Sequence, residues 1–138
     1  MTEIVETRNS QHHILVINDA QEILDLFKDL LEEAGYQVSL YSYSIHDLEQ
    51  IKAINPDLVI LDLLMGGEQT GWQMLEKIRL DPETAKLPVI VCTAAVEMVR
   101  ELQGHLTEKN VAIVLKPFDI DDILRQIDTS VAALSAET

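Results

Sequence analysis

Polar residues that could do chemistry stand at the ends of short apolar runs in this sequence. Asn18 and Asp19 follow the first run, Asp62 follows the third, Thr93 ends the fourth and Lys116 follows the fifth. In an open parallel sheet, ligands bind beyond the carboxyl ends of the strands. If these runs are strands of such a sheet, the five residues meet at one edge and form a site there.

The residue types suit the binding of a cation and of a phosphoryl group. Carboxylates that are brought together repel each other unless a cation lies between them, and oxygen ligands of this kind suit Mg²⁺. A carboxylate can also attack phosphorus and form an aspartyl phosphate. The ammonium of Lys116 and the hydroxyl of Thr93 can then bind phosphoryl oxygens. The set therefore indicates a phosphoacceptor site that uses Mg²⁺.

The elements that must position these residues are predicted by the alternation of apolar runs with segments of helical periodicity. This alternation is typical of an α/β fold in which helices cover both faces of a parallel sheet. The predicted strands are His13–Ile17, Gln37–Tyr41, Leu58–Leu61, Val89–Thr93 and Val111–Leu115. The first predicted helix is lined by Ile23, Leu26, Phe27, Leu30 and Leu31 and stops at Gly35. The second is Ser44–Ile54, ended by Asn55 and Pro56, and the third is Trp72–Leu80. The fourth is lined by Val96, Val99, Leu102 and Leu106, and the fifth by Ile120, Ile123, Leu124, Ile127 and Val131.

Length and charge narrow the classes of function. The 138 residues are 47% hydrophobic, enough for one domain with a core. We expect that domain over residues 12–134, between a flexible segment 1–11 and a tail 135–138. The formal charge of −14 disfavours nucleic acid and anionic membranes as partners, and no apolar run approaches the roughly 20 residues of a membrane span. Without a secretory signal, the chain is expected to be cytoplasmic.

Four motifs resemble the receiver domains of two-component response regulators: ILVINDA, LVILDLLM, VIVCTAA and VLKPFD, in this order. The resemblance implies a doubly wound five-stranded flavodoxin-like sheet with strand order 2-1-3-4-5. It also implies that Asp62 is the phosphoacceptor, that Thr93 supplies the switch hydroxyl, and that Lys116 is the lysine that receivers carry at this site. Further roles that it implies are Asp19 as direct Mg²⁺ ligand, Asn18 as indirect ligand, the backbone carbonyl of Leu64 as a third ligand, and a cis peptide at Pro117.

The sequence departs from the family pattern at positions that bear on the chemistry. Asn18 stands where receivers usually carry an acid, which predicts weaker Mg²⁺ binding with phosphorylation retained. Alternatively, Asn18 serves only as a turn former. Leu64 and Ala95 stand where fast-hydrolysing relatives carry polar side chains, which predicts a long-lived aspartyl phosphate. Ile113 replaces the Tyr or Phe that moves with the Thr in many receivers, and the loop GGEQTG replaces a proline followed by Asp-Gly.

The resemblance implies that a sensor histidine kinase or phosphotransfer protein supplies the phosphoryl group. A downstream protein partner would read the result, and two copies could pair through exposed helix faces. No enzyme activity is expected beyond Mg²⁺-dependent self-phosphorylation and slow autodephosphorylation. The alternative is a pseudo-receiver that binds a partner without being phosphorylated. A flavin carrier is disfavoured because the acidic residues after the first strand would repel a flavin phosphate. The four histidines are expected to be exposed and without a role, and Cys92 to be buried.

Overall fold

A computed structural model of the chain describes residues 12–42, 48–62, 70–93, 97, 100, 111–115 and 120–136. Within them lie five strands, namely β1 His13–Ile17, β2 Gln37–Tyr41, β3 Leu58–Leu61, β4 Val89–Thr93 and β5 Val111–Leu115. The helices in these parts of the chain are α1 Gln21–Glu33, α2 Leu48–Ile54, α3 Thr70–Leu80 and α4 Ile120–Ala136. All five strands begin and end at the predicted residues. No helix in the described ranges is both long and apolar enough to cross a lipid bilayer.

The five strands form one parallel sheet in the order β2-β1-β3-β4-β5, which confirms the predicted topology. Ile17, the last residue of β1, lies opposite Tyr41 on one side and Leu61 on the other. Leu61 lies opposite Val91 of β4, and Thr93 lies opposite Leu115 of β5. The carboxyl ends of all five strands therefore meet at one edge of the sheet.

Two apolar cores lie on opposite faces of this sheet, because successive side chains of a strand point to opposite sides. Leu15 and Ile17 of β1 pack with α2 and α3 on one face, whereas Ile14 and Val16 pack with α1 and α4 on the other. Strands covered on both sides need apolar residues at every position, which explains the unbroken Val, Ile and Leu runs. Cys92 belongs to the second core and is buried, as expected.

The first two helices end where the sequence predicts, and each end has a left-handed residue. Gly35 follows α1 with φ 97°, while the N–H of Tyr36 donates to the carbonyl of Leu31 at 3.0 Å. This is the arrangement in which glycine is favoured, because it has no Cβ to clash. Asn55 follows α2 with φ 54° and precedes Pro56, whose ring disfavours helical geometry in the residue before it.

The other helices differ from the prediction in extent. α4 continues to Ala136, so that Ser135 lies in the helix rather than in a tail. The residues before it, from Val131 to Leu134, include good helix formers and neither Gly nor Pro, so nothing in them stops the helix. α3 begins at Thr70, and Trp72 packs against the core as expected. The predicted helix Val96–Leu106 and residues 44–47 of the second lie mostly outside the described residues, although Glu97 and Arg100 are helical.

The connection from α3 to β4, at the opposite edge from the strand ends, is fixed by side-chain bonds. The hydroxyl of Thr84 donates to the carbonyl of Ile78 at 2.7 Å, within the protein interior. The ammonium of Lys52 on α2 lies 2.7 Å from a carboxylate oxygen of Asp81 and 2.8 Å from one of Glu83. The hydrogen bond from Lys52 holds the pKa of the Asp81 carboxyl below its usual range. These bonds tie α2 to this connection.

Candidate functional site

Asp62 lies at the carboxyl end of the central strand β3, and its side chain is largely removed from water. The four residues of β3 are all buried, and Asp62 itself is 7% exposed. Its backbone N–H points at the carbonyl of Ile17 at 3.4 Å, which extends the pairing of β3 with β1 by one residue. The register of the sheet thus fixes the backbone position of Asp62, from which this carboxyl group extends.

Asn18 occupies the corresponding position after β1 and is 3% exposed. Its N–H donates to the carbonyl of Tyr41 at 3.1 Å, so β1 is held to β2 up to this residue. Ile17 lies opposite Leu61. The backbones of the residues that follow, Asn18 and Asp62, are therefore about 5 Å apart on neighbouring strands. The site therefore contains a buried amide next to a buried carboxyl group.

The side chain of Asn18 also makes a local bond that shapes the loop after β1. Its Oδ1 accepts a hydrogen bond from the N–H of Ala20 at 2.9 Å, across the exposed residue Asp19. This is an Asx turn, in which a side chain substitutes for a backbone acceptor. The turn-forming role that the sequence left open is thus present, and it sets the path of the loop that carries Asp19 into α1.

Thr93 completes the part of the site that the structure describes. It is the last residue of β4, is 1% exposed and lies opposite Leu115 of β5. Because Leu61 lies opposite Val91, Thr93 stands one residue further toward the carboxyl edge than Asp62. Lys116 is the next residue after Leu115 but lies outside the described residues, as do Leu64, Ala95 and Pro117. Their proposed roles stay predictions.

Three described residues carry donor groups of the type that Mg²⁺ binds. Asp19 and Asp62 offer carboxylate oxygens and Asn18 an amide oxygen, which are the hard donors that Mg²⁺ accepts, with no thiolate or imidazole beside them in the sequence. Among the residues that the structure describes, no three His, Cys, Asp or Glu side chains are grouped closely enough to hold a metal ion. A cation here would therefore need further oxygens from the backbone, water or a bound phosphoryl group.

One polar contact differs from the expectation that the histidines are exposed. His13 is half-buried, and its Nε2 lies 2.7 Å from the hydroxyl of Ser39 on β2. The backbone N–H of His13 donates to the Asp57 carboxylate at 2.7 Å. The Asp57 contact joins the starts of β1 and β3, and the Ser39 contact joins β1 to β2. Both involve the first residue of β1, away from Asp62. The other described histidine, His12, is also half-buried.

Comparison with known proteins agrees with this architecture. The family model for the response regulator receiver domain matches residues 14–128. The DNA-binding dual master transcriptional regulator RpaA of Synechocystis is 32% identical over 114 residues, which are 83% of this chain and 46% of that protein. Sporulation initiation phosphotransferase F of Bacillus subtilis is 28% identical over 112 residues, 80% of this chain and 86% of that protein.

Solved structures show the same fold. A CheY-like response regulator receiver domain protein from Methanospirillum hungatei superposes with a TM-score of 0.79 at 23% identity, covering 92% of this chain and 98% of that one. The chain spans about half the length of several curated relatives, including 46% of RpaA. The family match nevertheless spans residues 14–128, which include most of both cores and the edge of the sheet where Asp62 lies. The chain belongs to the family of response regulator receiver domains.

Proposed function

We propose that this chain is a phosphoacceptor in two-component signalling, phosphorylated on Asp62. The observation that carries the proposal is the position of the buried Asp62 carboxyl group at the carboxyl edge of the sheet, beside Asn18 and one residue below Thr93. The proposed donor is a phosphohistidine on a sensor histidine kinase or phosphotransfer protein. A carboxylate held in a site of this kind can serve as a nucleophile toward phosphorus.

In the proposed reaction, a carboxylate oxygen of Asp62 attacks the phosphorus atom of the phosphohistidine. The new O–P bond forms as the P–N bond breaks, and the imidazole leaves with the electron pair of that bond. The hydroxyl of Thr93 would donate to one phosphoryl oxygen, and the ammonium of Lys116 would pair with another. Asp19, Asp62 and the carbonyl of Leu64 would hold Mg²⁺ directly and Asn18 through water. The cation would neutralise charge on the phosphoryl oxygens.

Phosphorylation would change the surfaces that adjoin Thr93 and Lys116. A phosphoryl group adds roughly 1.5 to 2 negative charges and strong acceptor oxygens, which draw these two side chains toward Asp62. We expect the face formed by residues 96–106, β5 and α4 to change and to be read by a partner protein in the cytoplasm. Pairing of two copies through this face belongs to the same proposal, whereas binding to nucleic acid or membranes by this domain does not.

The test is phosphorylation by a small acyl phosphate or phosphoramidate in the presence of Mg²⁺, followed by intact-mass measurement. The mass of the wild-type chain should increase by one phosphoryl group. The Asp62→Asn variant should show no increase, because the amide is not a nucleophile for phosphorus. Asp29→Asn, which alters an exposed carboxylate on α1, is the matched control and should be modified like wild type.

A wild-type chain that gains no mass under these conditions, or an Asp62→Asn variant that gains as much as wild type, contradicts the proposal. The first outcome would favour a pseudo-receiver that binds its partner without modification. Chelation of Mg²⁺ should abolish the mass increase in wild type, which separates the cation-dependent reaction on Asp62 from adventitious modification of surface residues.

A further inference from the structure

Asn18 is a buried, uncharged residue at an edge of the sheet where acidic residues lie. At the same edge of the sheet, Asp62 is buried on the neighbouring strand and Asp19 is the next residue along the chain. The backbones of residues 18 and 62 lie about 5 Å apart on neighbouring strands. A carboxylate at position 18 would repel that of Asp62, with little water to screen the two charges. The amide places no charge there.

The orientation of the Asn18 amide is fixed by its partner. The N–H of Ala20 can only donate, so the side-chain atom that it meets at 2.9 Å is the oxygen. The NH₂ group of Asn18 is therefore directed away from this backbone. A carboxylate could accept the same hydrogen bond, and so a substitution of Asn18 by Asp would keep the Asx turn and change chiefly the charge. A substitution at position 18 can thus change the charge of the loop while keeping its shape.

We propose that Asn18 makes the fold of this receiver independent of a bound divalent cation. With an acid at position 18, the carboxylates of the edge repel each other until a cation is bound, so stability follows the concentration of Mg²⁺. With Asn18, the Asx turn holds the β1–α1 loop without that cation. Asn18 is a positioning residue in this scheme. The inference rests on the Mg²⁺ site of the proposed function but does not require Asp62 to be phosphorylated.

The experiment measures the thermal midpoint of the unphosphorylated chain, first with a chelator and then along a Mg²⁺ titration at constant ionic strength. The wild-type midpoint should already be high in the chelator and should rise only slightly, at Mg²⁺ concentrations that fill its own site. Asn18→Asp should unfold at a lower temperature than wild type when metal is absent and should approach the wild-type value as Mg²⁺ is added. In calorimetric titrations, Asn18→Asp should bind Mg²⁺ about tenfold more tightly than wild type, a difference of about 1.4 kcal/mol.

Three further variants identify the cause. Asn55→Asp adds the same charge at an exposed residue at the opposite edge and should behave like wild type. Asn18→Ala removes the Asx bond without adding charge, so its midpoint should be below that of wild type whether or not Mg²⁺ is present. The double variant Asn18→Asp with Asp62→Asn restores the number of charges and should regain stability without metal. It also gives an answer if Asn18→Asp alone does not fold.

The proposal is overturned if Asn18→Asp is as stable as wild type in the chelator, or if wild type gains as much from Mg²⁺ as that variant does. It is also overturned if the double variant is no more stable without metal than Asn18→Asp. Because every measurement uses the unmodified chain, a failure of phosphorylation at Asp62 leaves these outcomes unaffected, and the two proposals can fail separately.

Discussion

The lifetime of an aspartyl phosphate depends on how readily water can approach the phosphorus atom opposite the carboxylate oxygen. Polar side chains that orient such a water accelerate hydrolysis, because the geometry for attack is then already prepared. By the resemblance to receiver domains, Leu64 and Ala95 are expected at the two positions where fast-hydrolysing relatives place such groups, and neither side chain can form a hydrogen bond to water. We therefore expect a slow loss of the phosphoryl group from Asp62.

The residue that tests this expectation is Leu64. Leu64→Asn should shorten the half-life of the phosphorylated chain by roughly tenfold, which corresponds to a barrier lower by about 1.4 kcal/mol. Leu64→Met keeps the side chain apolar and should leave the half-life unchanged. The measurement is the decay of the phosphorylated mass in Mg²⁺ after the phosphodonor is removed. A wild-type half-life of seconds would contradict the expectation.

At the scale of single residues, the sequence predicts which side chains reach the site but not how they are bonded. Asn18, Asp62 and Thr93 could be placed at one edge because each follows or ends a recognisable apolar strand. The bond between Asn18 and Ala20 depends on the backbone angles of the loop after β1, and the contact between His13 and Ser39 on the pairing of β1 with β2. The first of these is the turn-forming alternative that the sequence left open for Asn18, whereas no local pattern encodes the second.

At the scale of elements, the connection between α3 and β4 depends on the hydroxyl of Thr84. The last carbonyls of a helix lack partners within the helix, and Thr84 supplies one for Ile78 in the protein interior. Thr84→Val keeps the shape and leaves that carbonyl without its donor. We expect a loss of about 1 kcal/mol in the free energy of unfolding. Urea denaturation measures this loss.

The control for this substitution is Thr129→Val on α4. The hydroxyl of Thr129 likewise donates to a helix carbonyl, that of Arg125 at 2.8 Å. Thr129 is exposed, unlike Thr84. Water can replace the lost bond there, so the free energy of unfolding should change little. Equal losses at Thr84 and Thr129 would show that burial does not determine the value of this bond.

The strands could be predicted to the residue because four of them are mainly apolar runs next to polar residues, whereas β2 is mixed in composition. The ends of α1 and α2 could be predicted because Gly35 and Asn55 with Pro56 are specific stop signals. The end of α4 could not, since the alanine-rich stretch before Ala136 contains no such signal. The end of a helix can thus be predicted where a residue type prevents the helix from continuing. It cannot be predicted where further helical residues cost little free energy.

At the scale of the whole molecule, the two cores share one sheet and should unfold together. Leu31 is fully buried in the core beneath α1, whereas the single tryptophan, Trp72, packs in the core on the opposite face. Leu31→Ala should lower the free energy of unfolding by about 2 to 5 kcal/mol, because it leaves a cavity. The matched control is Leu80→Ala, at a residue that is 82% exposed, and its effect should be small.

The coupling of the two faces is tested by following the Leu31→Ala variant with two probes. Fluorescence of Trp72 reports on the face that was not altered, and far-ultraviolet circular dichroism reports on all helices. Coincident denaturation curves are expected for a cooperative domain. Separate transitions, with Trp72 unfolding at the wild-type denaturant concentration, would mean that the faces are independent units.

Cys92 is the only sulfhydryl of the chain, and the sheet shields it from reagents dissolved in water. A second cysteine introduced on an exposed position of α1 or α4 would therefore take up a fluorophore or spin label alone under native conditions. Pairs of such labels could report distances between helices before and after modification of Asp62, in a protein that keeps all of its own residues except the labelled ones.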